Sequence, residues 1–384
     1  MIQRIGIDAT ALPPNPVGAG NYIIQLVRAI CRVGIEHELV IFAQRHGREL
    51  IAASDPGATW VDVPEMSPAR RLIWEQTEFP RLAAREKIDL LHSLHYTHPL
   101  ILPCASVVTF HDMTFFLYPE LHTRSKRLFF PLAIRLSARL AEALIAVSDS
   151  TRRDAIRLLN IPPQKIHAVP SGINPEFQPI TDAARLEAVR RKYRLPDAFV
   201  LFVGLIEPRK NIPLLLRAYA RLVSEGTAPD LVLAGRLGWL AEDLGQLLQS
   251  LGIQERVHLP GYISPEDLPI VYNLARVFVY PSIYEGFGFP PLEAMACGTP
   301  VITSATSAMQ DYVAEAGILT PPQDEAALTQ ALQSLLGDAA LQHKLSIAGR
   351  LQAQKFSWQT TAEGTLRVYE YALAQKSRKG TARP

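Results

Sequence analysis

The segment YPSIYEGFGFPPLEAMACG, residues 280–298, concentrates the residues best suited to chemistry on a phosphorylated ligand. A strand, VFVYPS, runs into a glycine loop and then a helix, PPLEAMAC. Pro290 and Pro291 suit a first helical turn, where their missing N–H groups cost nothing, and Gly298 supplies the stop. The amides of Gly286, Phe287, Gly288 and Phe289 then point outward with the helix dipole behind them, which makes a pocket for negative charge. Glu285 and Glu293 bracket this pocket. A carboxylate there can accept charge-assisted hydrogen bonds from sugar or ribose hydroxyls. The competing reading is that Glu293 only complements the helix terminus.

Three further sites stand out. In VGLIEPRKN, a strand ends at Gly204, and Arg209 and Lys210 follow just before a helix. Two fixed cations suit a diphosphate, although a solvated basic turn would look the same. His111, with Asp112, follows the strand SVVTF, where a histidine can make polar contact with a reacting sugar or its acceptor at neutral pH. A structural histidine is as good a reading. Gly18 and Gly20 lie between the first strand and its helix, where they offer amides to an anion or make a tight turn. They do not complete a dinucleotide fingerprint, because Ile23 stands where a third glycine belongs and Ala43-Gln44-Arg45 lacks the ribose-binding acid. No Asp-x-Asp, Gly-x-Ser-x-Gly, His-Glu-x-x-His or Walker-type loop occurs, so the pattern indicates no metal-clamped diphosphate, serine hydrolase, zinc protease or P-loop.

The elements that must position these residues form two alternating series. The first has strands RIGIDA, ELVIFA, DLLHSL, SVVTFH, ALIAVS and IHAVPS; the second has FVLFVG, DLVLAG, RVHLPG, VFVYPS, PVITS and AGILT. Helical stretches such as NYIIQLVRAICRVG and IPLLLRAYARLVSEG separate them. Alternation of this kind predicts an α/β chain of two doubly wound parallel sheets, which the length of 384 residues also favours. The expected organisation is an N-terminal domain over 1–178, a linker over 179–198 and a second domain over 199–356. From 357 onward a helix ends in a polar, fraying KSRKGTARP. Ligands of such sheets bind outside the carboxyl ends of the strands. Strand ends at His111, Ser148, Gly172, Gly204, Gly235, Gly261 and Ser282 are therefore expected to line a cleft.

Composition sets the remaining bounds. Thirty-nine Lys and Arg against 37 Asp and Glu give a formal charge of +2, which argues against bulk-charge binding of nucleic acid. Three distant cysteines, a first segment that reads as a strand, and no apolar run of about 18 residues point to a cytoplasmic setting without a membrane span. Residues 121–160 hold eight Lys or Arg and three Asp or Glu, with Arg124, Lys126 and Arg127 beside Phe129, Phe130 and Leu132. An amphipathic basic helix over 121–140 could rest on an anionic bilayer, or simply lie solvated against its sheet.

EGFGFPPLE, VGLIEPRKN, FHD and VSDSTRRD resemble the retaining glycosyltransferases of family 4, and the likeness runs over essentially the whole chain, with the motifs in the family's order. EPRKN and AGRLGW look most like bacterial mannosyltransferase members. The resemblance implies the GT-B architecture, a nucleotide-diphosphate sugar as donor with GDP-mannose favoured, and a glycan or lipid-linked acceptor. It implies no metal cofactor and no nucleic-acid partner. By the same resemblance Glu285 contacts the donor sugar, Glu293 the ribose, Arg209 and Lys210 the diphosphate, and His111 the transferred sugar, while Gly18 and Gly20 approach phosphate and acceptor. Leu205 stands where many relatives carry arginine, and Ser171-Gly172-Ile173-Asn174 replaces a common Asn-Gly-Ile/Val-Asp turn. The family's last helix returns to the first domain, which predicts that Trp358 and Tyr369 pack at the domain junction.

Overall fold

The computed structural model describes residues 2–34, 36–52, 58–226, 228–236, 238 and 241–381. Leu237 and Trp239 of AGRLGW lie outside the described residues. The chain divides into two compact units, residues 1–172 with 357–384, and residues 173–356.

The first unit is built in the order β1 Arg4–Asp8, α1 Ala19–Val33, β2 Glu38–Gln44, α2 Arg45–Ile51, β3 Thr59–Val63, α3 Pro68–Thr77, α4 Phe79–Arg85, β4 Leu90–Ser93 and β5 Ala105–Phe110. It continues through α5 Thr114–Leu117, α6 Arg124–Leu140, β6 Ala143–Ala146, α7 Asp149–Leu159 and β7 Ile166–Ala168. Its parallel sheet has the order β3-β2-β1-β4-β5-β6-β7. Strands such as β5, buried at every position, read as unbroken apolar runs because helices cover both faces. Strand β3 was not among the sequence expectations: it is an edge strand with mostly exposed or half-buried side chains, so its pattern is weak.

The second unit runs α8 Ala183–Lys192, β8 Phe199–Val203, α9 Ile212–Ser224, β9 Asp230–Ala234, α10 Ala241–Ser250, β10 Val257–Gly261 and α11 Leu268–Leu274. It ends with β11 Val277–Tyr280, α12 Phe289–Cys297, β12 Val301–Ser304, α13 Ser307–Tyr312, β13 Ile318–Thr320, α14 Glu325–Gly337 and α15 Ala339–Ala353. Its sheet is parallel, in the order β10-β9-β8-β11-β12-β13. Segment 179–198, expected as a linker, carries α8, which packs on α11, and it groups with this unit.

The last helix, α16 Trp358–Thr381, belongs to the first unit and packs on α1 and on the β4–β5–β6 face. Trp358 meets Tyr22 at 6.0 Å, and the buried Tyr369 hydroxyl pairs with Nδ1 of His92 at 2.7 Å. Both aromatic side chains thus anchor the helix inside one unit. Of the tail expected to fray, Lys376–Thr381 is helical, and residues 382–384 lie outside the described residues. Gly172 is not a strand-end ligand position: a Cβ there would stand 2.2 Å from the Trp358 amide nitrogen, so bare backbone is needed where the chain leaves this unit. Ser148 is likewise occupied, capping α7 through the Thr151 amide at 3.0 Å. No helix among the described residues is long and apolar enough to cross a membrane.

In both sheets the chain starts in the middle and winds outward in two directions. The reversal falls between β1 and β4 in the first unit, and between β8 and β11 in the second. Loops at such a point part and leave a crevice. The second crevice depends on close backbone contact. Gly235 has φ +141°, and a Cβ there would fall 1.9 Å from the Gly204 carbonyl oxygen. Gly235→Ala should lower stability by about 3 kcal/mol. Gly245→Ala, in open space on α10, should raise it by about 0.5–1 kcal/mol. Urea unfolding midpoints of the full-length variants check the contrast.

Candidate active site

The loop after β8 reverses sharply through a short helical turn at Pro208–Lys210 and a left-handed Asn211, whose side chain is tied to the Pro322 carbonyl at 2.7 Å. The loop after β11 clamps this turn from the other side of the switch point. The Ile283 amide donates to the Arg209 carbonyl at 2.9 Å, and the Ser282 hydroxyl donates to it at 3.1 Å. Neighbouring strands thus hold the EPRKN and YEGFG segments together.

Glu285 lies at the centre of this junction and is buried. Its Oε1 accepts from Lys210 Nζ at 2.5 Å, the Ser282 hydroxyl at 2.7 Å and the Tyr280 hydroxyl at 3.1 Å. Its Oε2 accepts from Arg209 at 2.6 Å. Arg209 also donates to the Tyr284 carbonyl at 2.9 Å and to Glu207 at 2.9 Å. Lys210 is itself buried and donates to the Tyr280 hydroxyl as well. Burial alone would raise the Glu285 pKa, but the charges of Arg209 and Lys210 outweigh it and hold the carboxyl at about 2. The two cations expected for a diphosphate and the acid expected for a sugar are therefore one ion cluster.

Helix α12 starts at Phe289 after Gly288, which has φ +83°, and no side chain caps it. Gly298, at φ +82°, ends it, as the sequence indicated. The glycine loop is held by its flanks. The Tyr312 hydroxyl donates to the Gly288 carbonyl, the Glu285 amide donates to Ser307 at 2.9 Å, and the buried Phe287 ring packs on Tyr312 and Phe356. Glu293 is in a different setting from Glu285. Half-buried on α12, it accepts from the Tyr272 hydroxyl at 2.9 Å. Burial pushes its pKa up to about 7, against the pull of that bond. Eight residues apart, the two acids share no hydrogen-bond partner among the described residues, and their ionisation is driven in opposite directions.

In the first unit, His111 follows β5 and its Nε2 donates to the Leu94 carbonyl at 2.8 Å, with Tyr22 edge-on at 5.0 Å. Burial lowers its pKa. Asp112 caps the turn into α5 through the Thr114 amide at 2.9 Å. Gly18 and Gly20 serve different needs. Gly18, at φ +50°, opens α1 with no atom near its missing Cβ, whereas a Cβ on Gly20 would meet Pro16 at 2.7 Å.

Sequence reasoning missed Tyr280, Tyr272, Ser307 and Tyr312 as supports. Tyr280 and Ser282 stood in plain sight, five and three residues before Glu285; Tyr272 reaches its partner only through the packing of α11 on α12.

Paired doubly wound sheets, with a cation-acid cluster and an uncapped helix terminus at one switch point, define the GT-B class of glycosyltransferase. A family model described as "Glycosyltransferase Family 4" matches residues 16–177, and one described as "Glycosyl transferases group 1" matches residues 187–352. O-antigen chain mannosyltransferase B of Escherichia coli is 31% identical over 374 residues, covering 92% of this chain and 96% of that protein. The fold is similar to sucrose-phosphate synthase from Thermosynechococcus elongatus, with TM-score 0.75, 24% identity, and 97% and 99% of the two chains covered. It is also similar to HepE of Anabaena in complex with UDP-glucose, with TM-score 0.75, 17% identity, and 96% and 99% covered. The chain belongs to the family 4 glycosyltransferases and is mannosyltransferase-like within them.

Removing the charge of Glu285 strands Lys210 and Arg209 in the junction. Glu285→Gln should cost about 3 kcal/mol at pH 7, read from urea unfolding. A depressed carboxyl pKa stabilises the fold above the ordinary value of 4.5 and loses that effect as pH falls toward about 2. The gap between wild type and variant should therefore close over that acid window.

Proposed function

We propose that the protein transfers a hexose, mannose favoured, from GDP-mannose to a glycan or lipid-linked acceptor, with retention at the anomeric carbon and without a metal. The observation that carries this reading is the Arg209–Lys210–Glu285 cluster beside the α12 terminus. Breaking the sugar C1–oxygen bond leaves its electron pair, and a growing negative charge, on the diphosphate. Arg209, Lys210 and the amides of Gly286, Phe287, Gly288 and Phe289 are the groups that would meet that charge. Preorganised donors of this kind contribute roughly 3–4 kcal/mol each. Glu285, fixed and ionised, would accept from hydroxyls of the donor sugar. The acceptor oxygen forms the new bond to C1, and its proton passes to the leaving phosphate. Gly204 and Gly235 give the backbone room beside the diphosphate turn. His111 and the Gly18–Gly20 loop are assigned to the sugar and acceptor.

Likeness to O-antigen chain mannosyltransferase B supports mannose. A second reading, transfer of glucose or N-acetylglucosamine from a UDP-sugar, is favoured by the UDP-glucose complex of HepE. A thermal-shift screen of GDP-mannose, UDP-glucose and UDP-N-acetylglucosamine separates them, the largest rise being expected with GDP-mannose. Slow release of mannose from donor alone distinguishes an enzyme from a protein that only binds the nucleotide sugar.

Glu293 is assigned to the ribose diol, which binds the ionised carboxylate better than the acid. Because its pKa in the free protein is about 7, GDP-mannose affinity should tighten roughly ten-fold from pH 6 to pH 8. Calorimetric titration should show this slope flattened in Glu293→Gln, and Glu293→Ala should raise the donor KM more than it lowers kcat.

The compartment in this reading is the cytoplasm, at the inner membrane face. Helix α6 supports membrane contact: Leu128, Phe129 and Leu132 are exposed beside the exposed Arg124, Lys126 and Arg127. Basic side chains near an anionic surface contribute about 1 kcal/mol each. Co-sedimentation with phosphatidylglycerol vesicles is expected at low salt, with little at high salt or on phosphatidylcholine; equal binding to both lipids would end this reading.

A further inference from the structure

The first sheet reverses between β1 and β4, so the loop leaving β4 lies at that unit's ligand crevice. This loop carries His95, which neither composition nor motif had marked. Four histidines cluster around the carboxyl ends of β4 and β5, and three of them are engaged. His92 pairs with Tyr369 and Thr109, His98 with Ser137, and His111 with the Leu94 carbonyl. His95 makes no side-chain hydrogen bond among the described residues, yet its ring is fixed on three sides. Tyr96 stands at 4.9 Å, His111 at 5.8 Å and Phe130 at 6.1 Å. The residue is half-buried, so part of it remains accessible.

We infer that His95 is an acceptor-binding residue, whose imidazole, 5.8 Å from His111 and tilted 42° to it, hydrogen-bonds a hydroxyl of the acceptor sugar. This rests on the glycosyltransferase reading above and deepens it. A polar ring immobilised among aromatic rings without a partner is costly unless a ligand or water supplies one. Burial, then the positive fields of His111, Arg71 and Lys126, push its pKa well below 6.5. The ring is therefore neutral near pH 7, with one nitrogen donating and the other accepting. A sugar hydroxyl, which also donates and accepts, complements it. If His95 merely filled space among the aromatics, phenylalanine would serve equally well.

The test uses the full-length enzyme with the donor chosen by the thermal-shift screen, GDP-mannose or UDP-glucose, and octyl α-D-mannopyranoside as acceptor probe. His95→Phe should raise the acceptor KM at least ten-fold, while the donor KM, donor hydrolysis without acceptor, and the melting temperature stay at wild-type values. His95→Gln, which keeps a donor and an acceptor, should recover most of the loss. An acceptor KM within two-fold of wild type in His95→Phe overturns the inference, as does a parallel fall in transfer and hydrolysis. Wild-type enzyme that hydrolyses donor but shows no saturable use of the probe also counts against it alone. Wild-type protein that neither transfers nor hydrolyses any donor overturns the glycosyltransferase reading, and the inference with it.

Discussion

The Glu285 carboxylate, buried between Lys210 and Arg209, is the interaction on which the second unit's site depends. Taking three charged groups out of water costs several kcal/mol per ion unless the geometry is excellent and the remaining hydrogen bonds are made. Here they are made, by Ser282, Tyr280 and Glu207. This arrangement can exist only if β8 and β11 are neighbours with diverging loops. The strand order provides that, and so do the bonds from the Ile283 amide and the Ser282 hydroxyl to the Arg209 carbonyl. A cluster of this kind is an expensive way to stabilise a fold, since well-packed apolar residues would do as much. Under the proposed function it is preorganised charge for the donor's diphosphate.

Two acids in one motif end up in opposite states. Glu285 is surrounded by cations and donors and stays ionised, whereas Glu293 has one tyrosine hydroxyl and partial burial, so it titrates near neutrality. Pushing apart the pKa values of neighbouring carboxyls is a common way for a site to divide roles between them. The expectation of two acids bracketing one pocket is accordingly refined. One is a fixed element of the charge cluster, and the other responds to pH and to whatever hydroxyls approach it.

The first unit repeats the winding of the second but places imidazoles at the ends of β4 and β5, with a buried Arg71–Glu75 pair beside Asp8 at the end of β1. Its last helix comes from beyond the second unit's sequence, and Tyr369 on His92 and Trp358 near Tyr22 fasten it under the same strands that present His95 and His111. His92 is kept uncharged by burial, its pKa lowered to about 3, so it works as a neutral hydrogen-bonding relay between α16 and Thr109 of β5.

Local sequence determined much of this protein. Short apolar runs alternating with helical stretches indicated twelve of the strands, and the proline pair with Gly298 set the span of α12. Motif reading and the family resemblance nominated Arg209, Lys210, Glu285, Glu293 and His111 as candidates. These features depend on backbone stereochemistry and on neighbours a few residues apart. What remained hidden depends on contacts made across long sequence separations. Strand β3 exists by pairing with β2, segment 179–198 becomes part of a domain by packing α8 on α11, and Gly172 is fixed by Trp358. The union of the two cations with Glu285, some 75 residues away, the burial that raises Glu293, and the solitary edge of His95 were all decided by tertiary structure. Charge pairing and desolvation act through space, and only the fold sets those distances.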